Sequence, residues 1–213
     1  MSFDAIAPSY RTLETITFGN ALQRARVACL DQIDAPRRAL IVGEGNGRFL
    51  AALLQRHPLI TVDCVDSSER MLNLARGHIL ESNPAELRRV AFLEHDVLSW
   101  APNDRYDLIV THFLLDCFRI REVGLVVARL AQAAAPNAIW LLADFTIPKG
   151  GFASAHARTL VAVMYWFFRL VAGIEANQLV DPSPFLRVEG FTLARERLFR
   201  LGMVKSQLWR KER

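Results

Sequence analysis

Gly43, Gly45 and Gly47 alternate through the stretch Gly43-Glu44-Gly45-Asn46-Gly47-Arg48. A residue without a Cβ lets the backbone make turns, and approach a ligand, where a side chain would intervene. An apolar run precedes the loop and a helical pattern follows it. Together they turn backbone N–H groups and a helix N-terminus toward a ligand at close range, an arrangement suited to a nucleotide-like cofactor. Asp66 lies 21 residues beyond Gly45. At the end of a second strand, its carboxylate is placed to accept hydrogen bonds from a ribose diol. Asp66 or Ser67 equally suits a helix N-cap, and the two roles are compatible. Farther along, His112 and Asp116 are the acid/base candidates. A histidine takes a proton near neutral pH, and Asp116 is placed to orient or replace it. The alternative is that His112 bonds backbone and Asp116 caps the next helix. No acyl-transfer motif surrounds Cys117, which argues against a thiol nucleophile.

These residues need elements to hold them. Ala39 to Val42 is apolar with a β-branched pair, as in a strand buried on both faces. Phe49, Leu50, Leu53 and Leu54 recur at helical spacing, with Arg48, Gln55 and Arg56 opposite. Ile60 to Val65 reads as a second strand, followed by a helix carrying Met71, Leu72, Leu74 and Ala75. Asn83-Pro84 breaks that helix, with a short helical turn over 84–89. Val90 to Glu94 is a third strand and Tyr106 to Thr111 a fourth. Ile120, Val123, Val127, Leu130 and Ala134 mark a helix stopped by Pro136-Asn137, and Ala138 to Phe145 is a fifth strand. Phe152 to Ala172 is a helix apolar nearly all round, which must be buried, paired with another subunit or lining an apolar cavity. After a short helix ending near Gly190, Phe191 to Phe199 and Met203 to Trp209 form a hairpin turning at Leu201-Gly202, so one strand runs antiparallel. The expectation is one α/β domain over 1–213, a Rossmann-like doubly wound sheet, mostly parallel with an antiparallel C-terminal strand. Residues 1–35 form a helical cap and 36–213 the core.

The 213 residues, 52% of them hydrophobic, suffice for one such core and are few for two. A net charge of +4 is mild. Part of it lies in a C-terminal tail of Lys205, Arg210, Lys211 and Arg213, without the dense patch and interleaved aromatics of nucleic-acid readout, so no nucleic acid is expected. Cys29, Cys64 and Cys117 are too scattered for a disulfide framework or a zinc site, which points to a reducing compartment and no metal. The N-terminus lacks a basic stretch followed by an apolar core, and Leu160 to Phe168 is too short to span a bilayer, so a cytoplasmic protein is expected.

The glycine spacing resembles the first motif of the class I S-adenosylmethionine (SAM) dependent methyltransferases, where the loop wraps the methionine end of the cofactor. The run Val65-Asp66-Ser67-Ser68-Glu69-Arg70-Met71-Leu72 is similar to the family's Asp-x-Ser-x-x-Met-Leu. Asp96 in His95-Asp96-Val97 stands where the family places an acid after the third strand. There the carboxylate suits the adenine amino group and the neighbouring amide a ring nitrogen. The antiparallel terminal hairpin also matches. The resemblance implies SAM as cofactor, contacted by Gly43, Glu44, Gly45, Gly47, Asp66, Ser67, Met71, Asp96, Val97 and Thr111, with His112 and Asp116 serving catalysis. The family's acid two residues before the first glycine is here Ile41, with Glu44 as an alternative. The implied activity is methyl transfer to a small, hydrophobic or aromatic acceptor; a homodimer is left open. Two rivals are a nicotinamide-dependent oxidoreductase, against which Arg48 replaces the third fingerprint glycine, and a non-catalytic SAM-binding protein.

Overall fold

The computed structural model describes residues 20–146 and 179–212. The N-terminal part of the expected cap (1–19) and the apolar helix expected over 152–172, with Tyr165 and Trp166, lie outside the described residues.

The chain builds outward from β1 (Arg38–Val42). It runs parallel to β2 (Thr61–Asp66) on one side and β4 (Tyr106–His112) on the other, with Ile41 opposite both Cys64 and Val110. β3 (Val90–Glu94) adds beyond β2, and β5 (Ala134–Phe145) beyond β4. β7 (Val204–Lys211) inserts between β5 and the edge strand β6 (Phe191–Phe199), antiparallel to both. The order is β3-β2-β1-β4-β5-β7-β6. The chain steps from β1 to β2 and β3 in one direction, then returns to β4 on the opposite side. The switch point therefore lies at the carboxyl ends of β1 and β4, where open α/β sheets bind ligands.

β1 is apolar at successive positions because both of its faces are covered. Ala39 and Ile41 pack with α2 (Arg48–Arg56) and α3 (Glu69–Ser82), in a cluster that includes Phe49, Leu50, Leu53, Leu54, Leu72 and Ile79. Leu40 and Val42 face α4 (Ile120–Gln132) and α5 (Ser183–Val188), with Val123, Val127, Leu130, Trp140 and Leu186. Each fully buried leucine or phenylalanine contributes about 1.5–3 kcal/mol. A short helix before β1, α1 (Ala21–Val27), lies near α2 and β7 and buries Leu22 and Ala25 against Val204 and Phe145.

Two local readings need correction. The N-cap of α3 is Ser68, whose Oγ accepts the Met71 N–H at 3.2 Å, while Asp66 Oδ1 accepts the Ser68 N–H one step earlier. Pro136-Asn137 does not stop α4, which ends at Gln132. The pair lies inside β5 as an irregularity, where the β4 register jumps from Tyr106↔Ala134 to Leu108↔Ile139 and Asn137 takes φ +61°. Asparagine tolerates the left-handed region, so Pro-Asn makes a bulge as readily as a turn. No helix among the described residues is long and apolar enough to cross a membrane.

Candidate active site

A cleft opens at the carboxyl ends of β1, β2 and β3. It is lined by Val42, Gly43, Gly45, Asp66, Ser67, Met71, His95, Asp96, Val97, Leu98, Phe113, Leu114, Cys117 and Phe118. The sequence motifs therefore converge on one place, although about fifty residues separate Gly43 from Asp96.

The glycine loop forms one wall. Gly43, Gly45 and Gly47 have φ of +71°, +75° and +81°, the left-handed region that side chains resist. The Gly43 N–H donates to Val65 O at 2.9 Å, so the loop leaves the sheet still attached to β2. Leu114 presses on it from the opposite wall, its Cδ1 2.9 Å from where a Gly43 Cβ would stand. Glu44 lies behind the loop. Its Oε1 accepts the N–H groups of Phe49 and Leu50, at 3.0 and 2.9 Å, and so caps α2. Burial raises its pKa to about 7, against the opposing pull of those two bonds and of Arg26.

The second wall carries two carboxylates at the ends of neighbouring strands. Asp66 closes β2. Asp96, just past β3, is exposed, and its Oδ1 accepts the Leu98 N–H at 2.9 Å. The loop beyond Asp96 is fixed from below by Arg129 of α4. Arg129 Nη1 donates to the carbonyls of Val97, Leu98 and Trp100 at 2.8, 2.5 and 3.2 Å. His95 stacks on Trp100 with ring centroids 5.5 Å apart and planes within 9°.

The acid/base candidates are separated. His112, the last residue of β4, is buried edge-on against Phe49, with centroids 4.5 Å apart, on the α2 side of the sheet. Desolvation, with the Arg26 charge adding to it, holds its pKa well below the ordinary range, so the imidazole is neutral. Among the described residues its Nδ1 has no hydrogen-bond partner. Asp116, in a 3₁₀ turn (Leu115–Cys117), faces Asp144 of β5 instead. Asp116 does not cap α4, whose first turn is closed by Arg119 and Glu122. Thr111 is engaged elsewhere, its hydroxyl accepting the Trp140 indole N–H at 2.8 Å in the core. Gly47 supports the loop from outside the cleft, against Ala75.

Sequence reasoning passed over three contributors. Phe113 lines the cleft at φ +54°, with the Arg26 guanidinium 5.0 Å from its ring centroid. Arg129 gave no signal, being one arginine on an amphipathic helix. Asp144 did give one, as the single charged residue in Ala138–Phe145.

Two carboxylate acceptors on adjacent strand ends, a glycine wall and apolar residues between them fit a ribose diol, an exocyclic amine and a flat ring. Residues 40–140 match the family model described as a methyltransferase domain. Trans-aconitate 2-methyltransferase of Acidovorax sp. (strain JS42) is 34% identical over 105 residues, 49% of this chain and 37% of that protein. Among solved structures, the apo form of the S-adenosylmethionine-dependent methyltransferase SibL superposes with a TM-score of 0.72 at 19% identity, covering 96% of this chain and 58% of the other. Magnesium protoporphyrin IX methyltransferase from Synechocystis PCC 6803, with bound S-adenosylhomocysteine (SAH), gives 0.66 at 19% identity, covering 92% and 84%. Residues 40–140 are thus similar to the methyltransferase-domain family, and the chain has the fold of these solved SAM-dependent methyltransferases. It spans well under half the length of the curated relatives it matches.

Proposed function

We propose that the chain is an active methyltransferase that binds SAM in this cleft and passes its methyl group to a small acceptor with an apolar body. The observation that carries the reading is the pair Asp66 and Asp96, at the ends of adjacent strands and facing one glycine-walled cleft. In this reading Asp66 accepts from the ribose hydroxyls and Asp96 from the adenine amine. The Val97 N–H answers a ring nitrogen, while Met71, Leu98 and Phe118 flank the base. Gly43 and Gly45 leave room for the methionine portion.

When bound, SAM supplies an electrophilic sulfonium methyl. The protein's work is to align the acceptor in line with it and to receive any proton the acceptor loses. His112 is kept as the acid/base residue of this reading: its imidazole is neutral, and its buried Nδ1 has no hydrogen-bond partner among the described residues. Asp116, held by Asp144, is assigned no direct part. Phe113, Leu114 and Phe118 give the cleft an apolar side, which supports an acceptor with an apolar body. The relatives' names point to different acceptors, trans-aconitate in one case and magnesium protoporphyrin IX in another, so the acceptor must be found by assay.

The test is SAH production from SAM with a panel of carboxylic acids, phenols and amines of graded hydrophobicity. Turnover rising with the apolar surface of the acceptor is expected. Turnover confined to small, fully polar acceptors would overturn the acceptor assignment, and none on any acceptor despite tight SAM binding would favour a binding protein.

A further inference from the structure

Arg26 is 4% exposed, an uncommon depth for a guanidinium. It stands in the last turn of α1, where Leu22, Ala25 and Arg26 follow at the three- and four-residue spacing that shares one helix face. Leu22 and Ala25 seat that face on Phe145 and Val204, in a cluster that Phe113 also joins. Arg26 is thereby carried to the turn after β4, where its Cζ lies 5.0 Å from the centroid of the Phe113 ring. The same ring, half-buried, packs on Phe145 with centroids 5.1 Å apart and planes tilted by 50°. Phe113 thus meets a cation from α1 and an aromatic ring from β5.

The backbone at Phe113 shows what this side chain holds. Its N–H donates to Ala143 O at 2.7 Å, so the residue still belongs to the sheet. Its φ of +54° then reverses the chain, a conformation that a bulky side chain keeps only where the surroundings fix it. The wall of the cleft starts from this corner. Leu114, Cys117 and Phe118 line the cleft with Phe113, and Leu114 packs on Gly43. Among the described residues that line the cleft, none comes from α1.

We infer that Arg26 is a positioning residue of the cofactor site, whose guanidinium over the Phe113 ring fixes the corner from which the cleft wall 113–118 runs. This rests on the reading of the cleft as the SAM site. A cation over a ring face is held most strongly where water is excluded, and Arg26 is almost wholly out of water. A guanidinium is also flat, so it restrains the tilt of the ring as well as its place. Helix α1, which precedes β1, reaches the cleft through this contact.

The experiment is a double-mutant cycle on SAH affinity by calorimetry, using the wild type, Arg26→Met, Phe113→Leu and the double variant. Hydrogen exchange of residues 113–118 is followed in the same four proteins. Methionine keeps an unbranched apolar stem without the charge or the plane, and leucine keeps apolar volume without the ring. Arg26→Met should weaken SAH binding about five- to thirtyfold and speed exchange at 113–118. In the Phe113→Leu background the same substitution should change affinity by less than about twofold, because no ring is left to hold. Arg26→Lys, which keeps the charge without the plane, should lie between the wild type and Arg26→Met. The charge of Arg26 also acts on Glu44, and the cycle cancels that part because it is common to both backgrounds. Equal losses in the two backgrounds, or Arg26→Met affinity within about twofold of wild type, would overturn the assignment whatever happens to the urea midpoint. If Arg26→Met does not fold, Arg26→Lys runs the same cycle and the same comparison decides. If the wild type binds no SAH, the cofactor reading fails on its own. Exchange at 113–118 then decides the role of Arg26: it should respond to Arg26 only where the ring is present, and an equal response in both backgrounds would overturn it.

Discussion

A Cβ on Gly47 would stand 2.8 Å from the Cα of Ala75 and 2.9 Å from its carbonyl oxygen. Helices α2 and α3 thus meet backbone to backbone, directly behind the cleft. The third glycine of the loop sets the approach of the two helices, and those helices hold the glycine wall and Asp66 in register.

Gly47→Ala should therefore cost stability twice, through φ +81° and through overpacking against backbone that cannot yield. About 2–4 kcal/mol is expected, read as a lower urea midpoint. Gly77→Ala, in α3 with nothing within 4 Å of its added Cβ, is the control, and should be neutral or stabilising by up to about 1 kcal/mol. Equal losses in the two variants would refute the packing role of Gly47.

Asp66→Ala removes the proposed acceptor for the ribose diol and also the bond to the Ser68 N–H that leads into α3. SAM affinity should fall by about 1–3 kcal/mol, or roughly five- to 150-fold. Asp66→Asn retains the turn and separates the two effects. Affinity near wild type in both would remove Asp66 from the site.

Arg129 never reaches the cleft, yet it joins three carbonyls of the segment after Asp96. Arg129→Ala should weaken SAM binding and loosen the segment 96–100, seen as faster hydrogen exchange there. Each lost bond to a charged donor costs about 1.5–3 kcal/mol before relaxation. Exchange at 96–100 unchanged by the substitution would contradict this.

Glu44 gives a pH signature with a definite sign. Its folded pKa of about 7 lies above the ordinary value of 4.5, because burial penalises the charged form. Between those values the folded protein holds a proton that the unfolded chain releases. Stability from this group is thus greatest at acid pH and declines as pH rises to about 7, by up to about 3 kcal/mol. Asp116 and Asp144 act in the same direction, so the difference between the wild type and Glu44→Gln isolates Glu44. The amide oxygen still caps α2 but does not titrate, and the variant should lose less stability between about pH 5 and pH 8. Parallel pH curves would show that Glu44 does not titrate as described.

The strands and the glycine turn were legible because both faces of the sheet are covered and positive φ selects glycine, two constraints written locally. The positions of Asp66 and Asp96 at one cleft were legible through their place after successive strands. The role of Glu44 was not, because capping α2 depends on where a side chain two residues into a loop can fold back. Asp144 escaped for a related reason. The strand pattern predicts burial at that position, but only the antiparallel insertion of β7 and the recrossing of residues 113–118 supply Lys205 and Asp116 as its neighbours. Arg129 acts across the fold on main-chain carbonyls, which carry no sequence signature. Pro136-Asn137 was misplaced because the same dipeptide suits a helix stop and a bulge.

The account stands on the cleft binding SAM rather than a dinucleotide. Calorimetry with SAM, SAH, NADH and NADPH on the purified chain tests it directly, with Asp66→Ala alongside. Saturable one-to-one binding of SAM and SAH, weakened in Asp66→Ala, with no heat from either nicotinamide cofactor, is the predicted result. NADH or NADPH binding with no SAM or SAH signal would contradict it.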